Sequence, residues 1–115
     1  MHELSLAISI IEGVEAEALA RGGLKVEVVH LRLGILSGVD KEALLFSYGI
    51  ACEGTSLEGS RMEIEVTPLL VYCPECGMEH SPASTQHLRC PTCLVPAQEI
   101  RHGQELEVTG FEVAA

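Results

Sequence analysis

Four cysteines fall in two pairs, Cys73-Pro-Glu-Cys76 and Cys90-Pro-Thr-Cys93, with 13 residues between the pairs. Two residues between cysteines let both sulfurs of a tight turn face one ion, and the intervening stretch brings the second turn back opposite the first. Four thiolates are soft, charge-matched ligands for Zn(II), and a closed four-sulfur shell leaves no position for a substrate. The expected role is therefore structural. Iron in a rubredoxin-like site is the rival metal, since a tetrahedral sulfur set suits both. His80 and His87 lie between the pairs and are read as loop histidines, because four sulfurs already complete the shell. Gly77 after the first knuckle permits a positive φ. The second knuckle has Leu94 at that place, so its turn is expected to be looser.

A second constellation opens the chain: Met1-His2-Glu3. Histidine at position 2 sets an imidazole beside the α-amine and the first backbone amides, which together can close small chelate rings. Such a nitrogen-rich, square-planar set suits Ni(II) or Cu(II). The bulky His2 disfavours removal of Met1, and Glu3 either donates an oxygen or supports the site from outside it. The competing reading is a frayed terminus with an idle histidine. Against it, Leu4 begins a helical stripe at once, which anchors the segment on a rigid element.

The elements that must carry these groups follow from periodicity. Leu4, Ala7, Ile8, Ile11, Val14 and Ala18 recur at three- and four-residue steps, and Gly22-Gly23 stops the helix they predict. Leu24 to Leu33 reads as a strand whose alternation shifts at Val28-Val29, through a bulge or through cover on both faces. Asp40 is a candidate N-cap for a helix from Lys41 to Glu53, with Gly54 as its stop. Met62 to Thr67 and Glu105 to Val113 alternate as half-buried strands. Neither buries its apolar face alone, so both are expected to join Leu24–Leu33. The predicted fold is α+β: two helices on a three-stranded sheet, with an inserted zinc-ribbon-like lobe built on the four cysteines. The corresponding domains are residues 1–69 plus 101–115 and residues 70–100. Cys52 is read as a small core residue. His30 is read as a satisfied strand histidine, and His102, before Gly103 at the return into the sheet, as a lesser candidate to approach the nickel end.

Composition narrows the function. The 115 residues are 47% hydrophobic, enough for a core built on Leu, Ile, Val and Ala, since there are two Tyr, two Phe and no Trp. The formal charge is −10, with only seven Lys and Arg. Nucleic-acid binding needs cations against phosphates, so no nucleic acid is expected as a partner. No apolar run approaches a membrane span, and the start lacks a secretory pattern, so a cytosolic (cytoplasmic) protein is expected, with no membrane partner. Thiols in that compartment stay reduced, which favours metal ligation over disulfides. No phosphate-binding loop or paired nucleophile and base is visible, so no enzyme is expected. A zinc-ribbon regulatory or protein-interaction module without nickel delivery is the alternative function.

Four stretches together carry a more specific resemblance. They are the opening MHELSLA, VDKEAL at residues 39–44, EGTSLEGSRMEIE at 53–65, and CPTC at 90–93. Along essentially its whole length the chain resembles the HypA/HybF hydrogenase nickel-insertion metallochaperones. The resemblance implies nickel as cargo at His2, with Glu3 and the Met1 amine nearby, and zinc at Cys73, Cys76, Cys90 and Cys93. It further implies nickel delivery to the large subunit of [NiFe] hydrogenase with a HypB-type GTPase as partner, and to urease in some members. A homodimer is a further option. Asp40 matches an acidic position of that family near the nickel segment, although a helix cap is its simpler role.

Overall fold

A computed structural model describes residues 2–82, 88–96 and 99–114. Among these, the chain forms two compact units. One comprises Met1–Leu31, Val39–Glu65 and Glu107–Ala115, and the other Arg32–Gly38 and Val66–Leu106.

In the first unit, helix α1 (Glu3–Ala20) buries Ala7, Ile10, Ile11, Val14 and Ala18. Most of the expected stripe is there, but Leu4 and Ile8 are 48% and 44% exposed. At about 100° per residue, positions 4 and 8 flank the line through 7, 11, 14 and 18 on one side and Ile10 flanks it on the other. The partner surface lies on the side of Ile10. The helix ends where the Gly23 N–H bonds the Ala18 carbonyl at 2.9 Å, with Gly22 and Gly23 at φ +100° and +75°. Only glycine adopts that pair of conformations without strain.

Strand β1 (Val26–Gly34) buries Val26, Val28, Val29, Leu31 and Leu33, so both of its faces are partly covered. Helix α2 (Lys41–Ala51) starts at Asp40, whose carboxylate accepts the Ala43 N–H at 2.9 Å, as the sequence predicts for an N-cap. The helix stops two residues short of expectation and turns through Gly54, φ +78°. Cys52 is buried beside Tyr48, whose hydroxyl meets Ser60 Oγ at 2.7 Å. Burial pushes the Tyr48 pKa up.

Strands β2 (Arg61–Thr67) and β6 (Leu106–Val113) flank β1 in a three-stranded sheet of order β2-β1-β6, as their unpaired apolar faces require. Strand β6 runs opposite to β1, since Ala114 N–H bonds Lys25 O while Thr109 reaches His30 O. One core joins α1, α2, Val29 and Leu31 of β1 and Met62 of β2, with Ile64 and Phe111 packed against it. Alternation then turns His30, Glu63 and Glu112 to the opposite face of the sheet.

The second unit holds strands β3 (Leu70–Cys73), β4 (Met78–His80) and β5 (Glu99–His102), in the order β4-β3-β5. β3 pairs antiparallel with both neighbours: Tyr72 faces Glu79 on one side and Glu99 on the other. Gly34 and Gly103 cross at close range here. A Cβ on Gly34 would collide with the Gly103 carbonyl, and Leu36 N–H bonds Gly103 O at 2.6 Å. Among the described residues of this unit buried apolar side chains are few: Leu33, Leu69 and Val71, beside Cys73 and Cys90. No described helix is long and apolar enough to cross a membrane.

Candidate metal centres

Each cysteine pair sits at the tip of a hairpin. Cys73 closes β3, and the chain returns through Pro74, Glu75 and Cys76 into β4, with Cys73 opposite Met78. Gly77, at φ +67°, turns its N–H back to the Cys73 carbonyl at 2.8 Å. The second pair repeats this trace. Leu94 takes the left-handed position at φ +60°, and its N–H bonds the Cys90 carbonyl at 2.9 Å. The second turn is therefore as tight as the first, contrary to the expectation drawn from its missing glycine. Its supports are the Cys90 N–H to Val95 carbonyl bond of 3.1 Å, the Arg89–Pro96 bridge, and Arg89 donating to the Leu94 carbonyl at 3.3 Å. A left-handed leucine costs about 1–2 kcal/mol, a strain these contacts hold in place.

The four sulfurs converge, all within 4.8 Å of one another. Cys76 lies 3.7 Å from Cys90 and 3.8 Å from Cys93, and Cys73 lies 3.2 Å from Cys93. Sulfurs bound at about 2.3 Å to a tetrahedral ion stand about 3.8 Å apart, so two of these edges already have the right length and the third needs a small opening. All are far beyond a disulfide bond of about 2.05 Å, and all four thiols are free. As free thiols, Cys90 and Cys76 hold their protons unequally. The Cys93 N–H, then the Thr92 N–H, draw the Cys90 pKa down to about 6. Interaction with Cys90 pushes Cys76 up to about 12. Amides aimed at sulfur are the groups that spread the charge of a thiolate cage. The donor set and spacing fit a metal ion such as zinc.

His80, expected in a loop, lies in β4, and its Nε2 is buried with no hydrogen-bond partner among the described residues. His87 lies outside the described residues. His102 ends β5 and holds Glu105 through Nδ1 at 3.1 Å. The other Glu105 oxygen accepts the Gly103 N–H at 2.6 Å.

At the start of the chain, Met1 lies outside the described residues. His2 is the N-cap residue of α1: its carbonyl accepts the Leu6 N–H at 3.1 Å, and its side chain makes no capping bond. The imidazole is exposed, and Glu3 occupies the first helical turn. The first amides of a helix have no partner within it, so the His2 and Glu3 nitrogens are not committed to the helix ladder. Leu4, Ser5, Ala43 and Phe46 join His2 and Glu3 around a concavity of about 420 Å³. Asp40 is engaged at the start of α2 with Ala43. A further grouping, His30 with Glu63 and Glu112, also converges within 4.8 Å. Spacing along the chain gives no sign of it, because the three residues meet only through strand register.

A family model described as hydrogenase/urease nickel incorporation, metallochaperone HypA, matches residues 1–113. The chain belongs to the HypA family. Curated HypA relatives named hydrogenase maturation factor include one from Roseiflexus sp. (strain RS-1), 47% identical over 112 residues, covering 97% of this chain and 91% of the relative. Another, from Chloroflexus aurantiacus (strain ATCC 29366 / DSM 635 / J-10-fl), is 43% identical over 113 residues, covering 97% and 98%. The fold is that of solved HypA structures. A solution structure of HypA protein superposes with a TM-score of 0.75 at 23% identity, covering 99% of this chain and 97% of that one. The solution structure of the nickel metallochaperone HypA from Helicobacter pylori gives 0.70, also at 23% identity, covering 100% and 99%. As a HypA-family chain it is a hydrogenase maturation factor of a nickel metallochaperone family, with two helices, small sheets and a four-cysteine cluster.

Proposed function

We propose that the chain carries Ni(II) at its first residues and delivers it for assembly of the [NiFe] hydrogenase active site, with urease as a further recipient. The Met1 amine, the first backbone amides and the His2 imidazole hold the ion, and Glu3 adds an oxygen or steadies the set. The observation that carries this reading is the position of His2: an exposed N-cap residue whose imidazole is not used for capping. The amides beside it are free of the helix ladder, so nickel displaces their protons without breaking a helical bond. A solvent-open set of this kind exchanges its ion readily with a recipient, as a carrier must. A HypB-type GTPase and the hydrogenase large subunit are the partners in this reading, and the cytoplasm is where they meet.

The second unit, in this reading, binds Zn(II) through Cys73, Cys76, Cys90 and Cys93. The ion fills a closed shell and takes no part in chemistry. It supplies the folding energy that the sparse core of that unit lacks. The deciding measurement is metal analysis of the purified chain beside His2→Ala. The variant loses nickel and the ability to mature hydrogenase, and keeps zinc. Wild-type nickel affinity and stoichiometry in His2→Ala would refute the assignment. A residue added before Met1 is nearly as harmful, because it moves the amine out of chelating register.

A further inference from the structure

The outer face of the three-stranded sheet carries one histidine on its central strand and a glutamate on each flanking strand, set side by side. His30 Nε2 stands 2.5 Å from Glu112 Oε2, and His30 Nδ1 stands 3.6 Å from Glu63 Oε2. One donor atom from each residue falls within 4.8 Å of the others. We propose that His30, Glu63 and Glu112 form a solvent-open site for a first-row divalent cation, distinct from the four-cysteine cluster and from the amino terminus.

Three observations carry this. The first is geometry. Ligands at about 2.1 Å around one ion stand roughly 3.0–3.4 Å apart at octahedral or tetrahedral angles. Only one ring nitrogen can face the ion, so the carboxylate of Glu63, which now stands on the Nδ1 side while Glu112 stands on the Nε2 side, must turn with the ring to bring donors already within 4.8 Å onto it. The second is the choice of residue. A purely structural rung between two carboxylates is best filled by lysine or arginine, which cannot ligate. Here the central strand presents an imidazole, which offers a lone pair, and one imidazole with two carboxylates suits zinc, nickel or cobalt. The third is space. His30 and Glu63 line a concavity of about 220 Å³ with Leu31, Ile64, Glu65 and Thr109, enough for the waters that complete the coordination shell. Arg61 takes only Glu63 Oε1, at 3.1 Å, and leaves Oε2 toward His30.

The sheet supplies rigidity. Each ligand is one step from a residue of the core: His30 from Val29 and Leu31, Glu63 from Met62 and Glu112 from Phe111. Backbone positions are thereby fixed, and only side-chain torsions move when an ion enters. The site is exposed, with Glu112 59% accessible, so binding is weak and fast beside the amino-terminal chelate. With the chain at −10, cations are concentrated at such a surface.

The test uses the full chain carrying one equivalent of zinc, in His2→Ala background so that the amino-terminal site is absent, with Co(II) as the probe. Added Co(II) is expected to broaden the His30 ring resonances first in the proton NMR spectrum and to raise the melting temperature. Both effects are lost in the Glu63→Gln/Glu112→Gln variant, which keeps the side-chain volumes and retains a dispersed amide spectrum. Absence of broadening at His30, or its persistence in the glutamine variant, would overturn the proposal.

Discussion

Replacing Gly77 with alanine isolates the cost of the left-handed turn behind the first cysteine pair. Gly77 sits at φ +67°, and a Cβ there meets nothing within 4 Å, so no clash confuses the result. An L-residue in that conformation pays about 1–2 kcal/mol. Alanine's smaller unfolded-state freedom returns about 0.4–1 kcal/mol. The net loss is about 0.5–1 kcal/mol on these two figures. Where ion binding and folding of the unit are one process, that loss appears as zinc affinity weakened about two- to fivefold. Leu94→Gly provides the reverse experiment at the matching position. Relief of about 1–2 kcal/mol is offset by about 0.5–1 kcal/mol of glycine entropy and by the lost contacts of a side chain that is 65% exposed. Its affinity should stay within about twofold of wild type on that arithmetic. Competition with a chromophoric zinc chelator measures both. Gly77→Ala with unchanged affinity, or Leu94→Gly weaker than Gly77→Ala, would refute the view that the two knuckles share one strained turn.

Three other outcomes are expected. Gly34→Ala forces its new carbon against the Gly103 carbonyl and should cost about 2–4 kcal/mol through the Gly34–Glu105 and Leu36–Gly103 hydrogen bonds, seen as a lowered unfolding midpoint and faster amide exchange at Leu36. Cys73→Ala or Cys90→Ala should lose zinc by metal analysis and loosen the second unit, while the helical circular dichroism of α1 and α2 persists. Glu15 accepts the Ser56 hydroxyl at 2.6 Å and its N–H at 3.0 Å, which hold its pKa below the usual carboxylate range. Its folded value is depressed, so its contribution is full above the unfolded value near 4.5 and is lost as pH falls through the folded value. Glu15→Gln should therefore flatten the acid limb of the stability curve and leave the neutral limb parallel to wild type.

The parts of this molecule that are legible in its sequence are those encoded by spacing along one element. The cysteine pairs, the Asp40 cap and the alternation of Met62–Thr67 are local patterns, and each appears where the sequence places it. The α1 stripe lies slightly off the axis that periodicity predicts, because Leu4 and Ile8 are apolar without being covered. Only the packing partner decides which flank is buried. Strands β3, β4 and β5 have three or four residues each, too few for periodicity to show. The small sheet around the cysteines, and the strand position of His80 within it, are therefore hidden from a reading of spacing. Leu94 in a left-handed turn runs against local preference, and the hairpin contacts around it override that preference. The meeting of His30 with Glu63 and Glu112 depends on the register of three strands, information that no single segment contains.

The order β2-β1-β6 leaves the first sheet with two edges, and an open edge invites pairing with another chain. Both edge strands carry glutamate on the outer face, Glu63 on one and Glu112 on the other. At neutral pH two copies approaching edge to edge would bring these carboxylates together, in a molecule already at −10. The protection is therefore chemical and conditional. Near the isoelectric point of about 4.8 it fades, and with it the barrier to self-association. Mildly acidic buffer would then favour association of copies, with the loss of solubility beginning at the edges of this sheet and not at the cysteine hairpins.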